Sequence, residues 1–235
     1  MTEDERLAEL AARHDLAPAQ LASLRRILEI IATDPMAPTA VRDPALAVDV
    51  HVADSLSALE LPCVADAIAI ADVGSGAGFP GVVLACALVR ADVALVESAA
   101  RRCAFLERLC EDAGISGTRV VHARVEEWRE GFATRDLVVA RAVAALAVIC
   151  EYAAPLLRVG GSLVAWKGAA PAAEADAGAR AADALGLEAR EVVRSEPYAG
   201  SVAHHLHVYR KVRETPAGYP RRPGVAVRRP LGGPA

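Results

Sequence analysis

The residues best suited to hold a nucleotide run from Asp72 to Gly81, Asp-Val-Gly-Ser-Gly-Ala-Gly-Phe-Pro-Gly. An apolar run before them, Ala67 to Ala71, reads as a buried strand. Val82 to Val89 after them reads as a helix, with Pro80 near its first turn. Such a turn suits a nucleotide, because glycines let backbone come close and helix N–H groups face the ligand. Gly74, Gly76 and Gly78 are therefore the expected cofactor contacts, with Phe79 beside them. The dinucleotide fingerprint asks for a small residue where bulky Phe79 stands, which argues against a nicotinamide cofactor. A second apolar stretch, Val93 to Val96, ends in Glu97. An acid there suits ribose hydroxyls, which every adenosine ligand carries.

The three glycines behind an acid resemble the first motif of class I methyltransferases, which bind S-adenosylmethionine. Ligands of open α/β sheets bind at the carboxyl ends of the strands, so further chemistry is expected there. Arg124-Val125-Glu126-Glu127 follows the third strand. A Val125 N–H and the Glu126 carboxylate could pair with an adenine edge, or the acids could only start a helix. Arg141 closes a strongly apolar strand. Its planar fork suits a cofactor carboxylate, a substrate phosphate or a structural ion pair. Lys167 ends the fifth strand.

Absences narrow the chemistry. The position of an Asp/Asn-Pro-Pro-aromatic loop, used to methylate amino groups of adenine, reads Ala140-Arg141-Ala142-Val143. A pyrimidine C5 mechanism needs a cysteine near that loop, whereas Cys150 falls in the next helix and Cys63 before the first strand. No general base or nucleophile is expected. Guanine N7 carries a free lone pair and can be methylated by direct displacement.

The elements that must position these residues follow from periodicity. Residues 1–60 read as a helical extension, residues 61–212 as an α/β domain and residues 213–235 as a basic, proline-rich tail. Asp43 is a plausible helix cap with Pro44 at the first helical position. Strands are expected near 68–73, 92–97, 119–122, 136–141 and 161–166, with helices near 80–89, 99–113, 144–157 and 172–185. Two alternating runs, 188–195 and 203–211, read as a closing antiparallel pair. The fold class is therefore a doubly wound, mostly parallel sheet with a mixed edge. The alanine-rich stretch 169–184 reads as a surface helix.

Composition sets the frame. The chain has 235 residues and a net charge of −4, with only two lysines, Lys167 and Lys211. The tail gathers arginines, among them Arg221 and Arg222, and suits phosphate contacts unless it is an inert end. Five cysteines without a C-x-x-C pair point to a reducing compartment and no structural zinc. With no signal peptide or membrane-length run, a cytoplasmic location is expected. His204, His205 and His207 raise the question of a metal, but no acid or cysteine partner is evident in the sequence, so none is expected.

Together the motifs resemble the RsmG family, also called glucose-inhibited division protein B, which methylates guanine N7 in bacterial 16S ribosomal RNA. The matching pieces are Val41-Arg42-Asp43-Pro44, His51-Val52-Ala53-Asp54-Ser55, Asp72 to Gly81, Val96-Glu97-Ser98, Arg124 to Glu127, Ala140-Arg141-Ala142, Trp166-Lys167-Gly168 and Tyr219-Pro220-Arg221-Arg222-Pro223-Gly224. The resemblance implies a class I fold with an N-terminal helical extension and S-adenosylmethionine as cofactor. It implies cofactor contacts at Gly74, Phe79, Val125, Glu126 and Arg141, and a target guanosine at position 527 in the 530 loop. Arg42, His51, Lys167, Arg221 and Arg222 are the expected RNA-side residues. For His51 a role in packing against the sheet is an equal alternative. The partner would be the small ribosomal subunit or an assembly intermediate, met by a monomer away from any membrane. The stretch Met36 to Ala40 departs from the family pattern. Competing readings are a nicotinamide oxidoreductase, a non-catalytic assembly factor and a small-molecule methyltransferase.

Overall fold

The computed structural model describes residues 2–168, 170–198, 200–201 and 204–233. The expected strand start at 203, Ala169 of the alanine-rich stretch and the last two tail residues lie outside the described residues.

The chain opens with helices α1 (Glu3–Arg13) and α2 (Pro18–Thr33). A broken helical path follows: α3 (Pro44–Ala47), a π-helical turn (Val48–Ala53), α4 (Asp54–Leu56), a 3-10 turn (Ser57–Glu60) and α5 (Pro62–Ala65). Then strands and helices alternate through β1 (Ala69–Val73), α6 (Gly81–Ala87), β2 (Asp92–Glu97), α7 (Ala100–Asp112), β3 (Thr118–His122), β4 (Arg135–Arg141), α8 (Leu146–Ala153), β5 (Leu157–Lys167) and α9 (Ala172–Ala184). The antiparallel pair β6 (Leu187–Ser195) and β7 (His204–Lys211) closes the sheet, and a short α10 (Val225–Arg228) follows.

The seven strands lie in the order β3-β2-β1-β4-β5-β7-β6. β1 pairs in parallel with β2 and β4, and β5 is antiparallel to β7. The central strands are apolar at nearly every position because both faces are covered. Ile70, Leu95, Val139 and Trp166 face one core, which also takes in Leu7, Leu24, Ile27 and Ile31 of the first helices. Ala71, Val96, Ala140 and Ala165 face the other, under α8 and α9. The period of two along each strand thus sorts its side chains between two cores.

Two elements depart from the sequence expectation. Helix α8 ends at Ala153 rather than 157, and β5 starts at Leu157 rather than 161. Pro155 has no N–H to continue the helix. Gly161 then lets β5 run close beside β4, where a Cβ would meet three backbone carbonyl oxygens at 3.0 Å. The other departure is the π turn. Asp43 caps α3 as expected, accepting from the Leu46 N–H at 2.9 Å. The helix then widens, and this turn carries His51 and leads into Asp54.

Gly81 sets the join of β1 to α6. A Cβ there would lie 2.5 Å from Asp72 Oδ2 and 2.5 Å from Leu95 Cδ2. Gly81→Ala is expected to cost at least about 2 kcal/mol in urea unfolding, as overpacked cores do. Gly114→Ala is the control: its φ is +64° but nothing stands within 4 Å, so about 1 kcal/mol of backbone strain is expected.

Candidate active site

Two adjoining hollows open at the carboxyl ends of the strands. The first, of about 310 Å³, is lined by Gly74, Glu97, Val125, Glu126, Ala142 and Tyr152, among others. Its size lies in the range of small-ligand pockets. Gly74 turns through a φ of +72°, a conformation that glycine adopts without strain. Asp72 is buried behind the loop and accepts from the Gly81 N–H at 3.1 Å. Burial pushes its carboxyl up to about 7, against the pull of that N–H and of Arg141. Glu97 holds the loop from the other side. Its Oε2 accepts from the Gly76 N–H at 3.2 Å, and its Oε1 accepts from Ser98 and Ala99 N–H at 2.8 and 2.9 Å.

The second hollow, of about 430 Å³, shares Ala142 with the first. Val50, Asp54, Arg141, Trp166, Lys167 and His204 line it. Arg141 Nη1 donates to Asp54 Oδ2 at 2.8 Å and to the Val50 carbonyl at 2.9 Å. Its guanidinium also stands 5.5 Å from the Phe79 ring. Lys167 Nζ pairs with Glu174 at 2.8 Å. His51 is 5% exposed and stacks on Phe79, with centroids 4.2 Å apart and planes 5° from parallel. Its Nε2 meets Thr39 Oγ1 at 3.2 Å. Burial, and then the Arg141 charge, push the His51 ring down to about 4.

The structure redistributes several expected roles. Gly74, Glu97, Val125 and Glu126 do line the first hollow. Gly76, Gly78 and Phe79 do not: Gly76 is tied to Glu97, Gly78 makes the tight turn, and Phe79 is buried beneath His51. Glu97, expected as a ribose acceptor, lines the first hollow and at the same time accepts from three backbone N–H groups. Arg141 points into the second hollow and has an acid partner, Asp54. His51 and Lys167 come together around that hollow, His51 through its contacts with Arg141 and Phe79. Arg42 does not join them, because its fork donates to the carbonyls of Asp34, Pro35 and Ala37 and props the altered loop.

The tail folds back onto the domain, correcting the picture of a free basic arm. Arg221 donates through its N–H and Nε to Glu151 Oε1 at 3.1 and 2.8 Å, and its Nη2 bonds Glu151 Oε2. Glu151 is fully buried in α8, so Arg221 is committed to it rather than open to RNA. Arg222 stays exposed. The Gly224 N–H donates to Glu126 Oε1 at 3.1 Å, and Val227 lines the first hollow. The tail is thus part of the wall of that hollow.

Sequence reasoning missed Asp54, Glu151, Glu174 and the pairing of His204. Against the expectation of no acid partner, His204 Nδ1 lies 2.9 Å from Asp54 Oδ1. One signal was present: Asp54 is an acid inside an apolar helical run, three residues after His51. A hollow of about 540 Å³ at the opposite end of the sheet, by the amino ends of the parallel strands, holds none of these residues; its Arg158 pairs with Asp136.

The family model described as "GidB: rRNA small subunit methyltransferase G" matches residues 32–200. The chain belongs to this family. A ribosomal RNA small subunit methyltransferase G of Rubrobacter xylanophilus is 43% identical over 198 residues, covering 82% of this chain and 76% of the relative. One of Symbiobacterium thermophilum is 42% identical over 201 residues, covering 82% of each. Among solved structures, an S-adenosylmethionine-dependent methyltransferase, SibL, aligns with a TM-score of 0.56 at 15% identity, over 88% of this chain and 73% of that one. The likeness shows the class I methyltransferase fold. The GidB fold takes S-adenosylmethionine as its methyl donor. The first hollow fits that group: exposed Gly74 has no Cβ in the way, and Glu126 and Tyr152 offer polar atoms on the far wall.

Two outcomes follow from these contacts. The His51 ring should titrate near pH 4 by NMR; a midpoint near 6.5 would mean it is not enclosed. The unfolded chain takes that proton near 6.5 and the folded chain only near 4, so acid removes up to about 3 kcal/mol of stability across that window. Arg221→Ala should cost about 3 kcal/mol in thermal or urea unfolding, because it strips the side-chain partner from a buried carboxylate. A change within 0.5 kcal/mol, roughly the range of surface substitutions, would make the pair incidental.

Proposed function

We propose that this protein transfers a methyl group from S-adenosylmethionine to N7 of a guanosine in the 530 loop of 16S ribosomal RNA. The observation that carries the reading is what the second hollow lacks. Its polar side chains are Arg141, Lys167, Trp166, His204 and the carboxylate of Asp54; among the described residues that line it there is no thiol or hydroxyl nucleophile, and its one imidazole, His204, is tied to Asp54. Cys150 is fully buried under α9 and its thiol is pushed up by burial, while Cys63 lines the hollow at the amino ends of the parallel strands. Asp54 has both oxygens engaged, and His51 is buried against Phe79. A reaction needing neither nucleophile nor base fits this wall.

S-adenosylmethionine, when bound, would supply a sulfonium-bound methyl group: the N7 lone pair would form the new N–C bond as the C–S bond breaks, the thioether S-adenosylhomocysteine would leave, and no proton transfer would be needed. The chain's part is alignment, an effect that can reach about 7–11 kcal/mol. Glu97 and Asp72 hold the glycine turn; Asp54 and Glu174 hold Arg141 and Lys167, which suit the acceptor atoms of a guanine edge or its phosphate. Exposed Arg222, Arg228 and Arg229 on the tail suit RNA phosphates nearby. The names of the relatives, which specify small-subunit ribosomal RNA, support the substrate class. A ribosomal target would set the work in the cytoplasm.

The test uses labelled S-adenosylmethionine and small ribosomal subunits from a strain lacking the protein, with the product mapped by N7-specific strand cleavage. One new cleavage in the 530 loop is the expected result. Cofactor binding with no label transferred would leave a non-catalytic assembly factor as the better reading.

A further inference from the structure

Asp54 serves both sides of the second hollow. It is 3% exposed, and it gives one oxygen to Arg141 and the other to His204. Its backbone carbonyl accepts from Trp166 Nε1 at 3.2 Å. These partners stand at the ends of β4, β7 and β5, so one residue of the N-terminal helices ties three strand ends together. The two side-chain partners cross a large sequence distance, 87 and 150 residues. Both Arg141 and His204 remain partly open to the hollow, at 17% and 28% exposure. Opposite them Lys167 is held in the same manner by Glu174. A carboxylate behind each of these groups fixes its direction, since a hydrogen bond to a charged partner is stronger than a neutral one.

We propose that Asp54 is a positioning residue for the RNA substrate: it sets Arg141 and His204 as a fixed pair that reads the target base in the second hollow. The proposal rests on the RNA methyl-transfer reading. A base carried out of its stack needs hydrogen-bond partners at its edge, and guanine offers O6 as an acceptor beside N7. Arg141 carries N–H groups beyond those given to Asp54 and Val50. The His204 ring, turned by its bond to Asp54 and with Nε2 only loosely met by Tyr198 Oη at 3.5 Å, completes the wall. Separating this from a merely structural Asp54 requires splitting substrate from cofactor.

The experiment compares wild type, Asp54→Asn, His204→Leu and His204→Asn in the subunit methylation assay. S-adenosylhomocysteine affinity and thermal midpoint are measured alongside. Asp54→Asn should raise KM for the subunit about tenfold or more, the size expected for losing a charged hydrogen bond, while S-adenosylhomocysteine affinity stays within about threefold. His204→Leu should raise KM similarly, and His204→Asn, whose amide can stand where Nδ1 meets Asp54, should recover most of it. An unchanged KM in Asp54→Asn overturns the proposal. So does a loss shared equally by KM, cofactor affinity and thermal midpoint, which would make Asp54 a structural tie. A log–log salt slope lowered by about 0.7 in His204→Leu would indicate a phosphate contact and overturn the base reading. If wild type labels no subunit, the methyl-transfer reading itself has failed, a result visible before any variant is compared.

Discussion

Asp72, one residue before the end of β1, is almost fully buried, and its carboxyl meets the N–H of Gly81 at the head of α6. A carboxylate taken out of water must be given donors, or its burial costs several kcal/mol. That requirement recurs through the molecule. The buried acids are Asp54, Asp72, Glu97, Glu126 and Glu151, and each accepts from a group that shapes one of the two hollows. Asp72 and Glu97 fold the glycine turn. Asp54 aims Arg141 and His204. Glu126 and Glu151 fasten the tail. The site is held by acids placed behind it, and its open wall is left to donors.

This arrangement suits a reaction in which the protein aligns rather than reacts. Arg141 is backed by Asp54 and flanked by His51 and Phe79, so its fork has little freedom to wander. The π turn at Val48–Ala53 makes this possible, because it brings His51 over the Phe79 ring and delivers Asp54 one step later. The apolar side of the same helices is shared with one face of the sheet, so the turn is anchored by the core. A widened helical turn costs hydrogen-bond geometry and is commonly found where function needs a side chain placed off the regular path.

The tail adds a second layer. Arg221, buried in part against Glu151, converts a basic segment into a brace. The backbone of Gly224 then reaches Glu126 on the rim of the first hollow. Net positive charge in the tail is therefore divided: Arg221 is spent on Glu151 and Arg213 pairs with Asp183, while Arg222, Arg228 and Arg229 stay exposed.

Much of the fold was legible from local rules. Apolar runs of strand length, alternating with helical stretches, identify a parallel sheet, and the final alternating runs identify the antiparallel edge. Glycine spacing behind Asp72 marks the nucleotide turn, since backbone needs are written in residue types. The end of α8 was misread although Pro155 stood in plain view, and the π turn left no periodic trace. The sequence by itself determined which residues lie at strand ends and which turns must be glycine. Only the tertiary structure decided which acid faces which cation. Arg141 meets Asp54 across 87 residues, and Arg221 meets Glu151 across 70. Partner choice over such distances follows from packing of two cores against one sheet, and no local pattern encodes it.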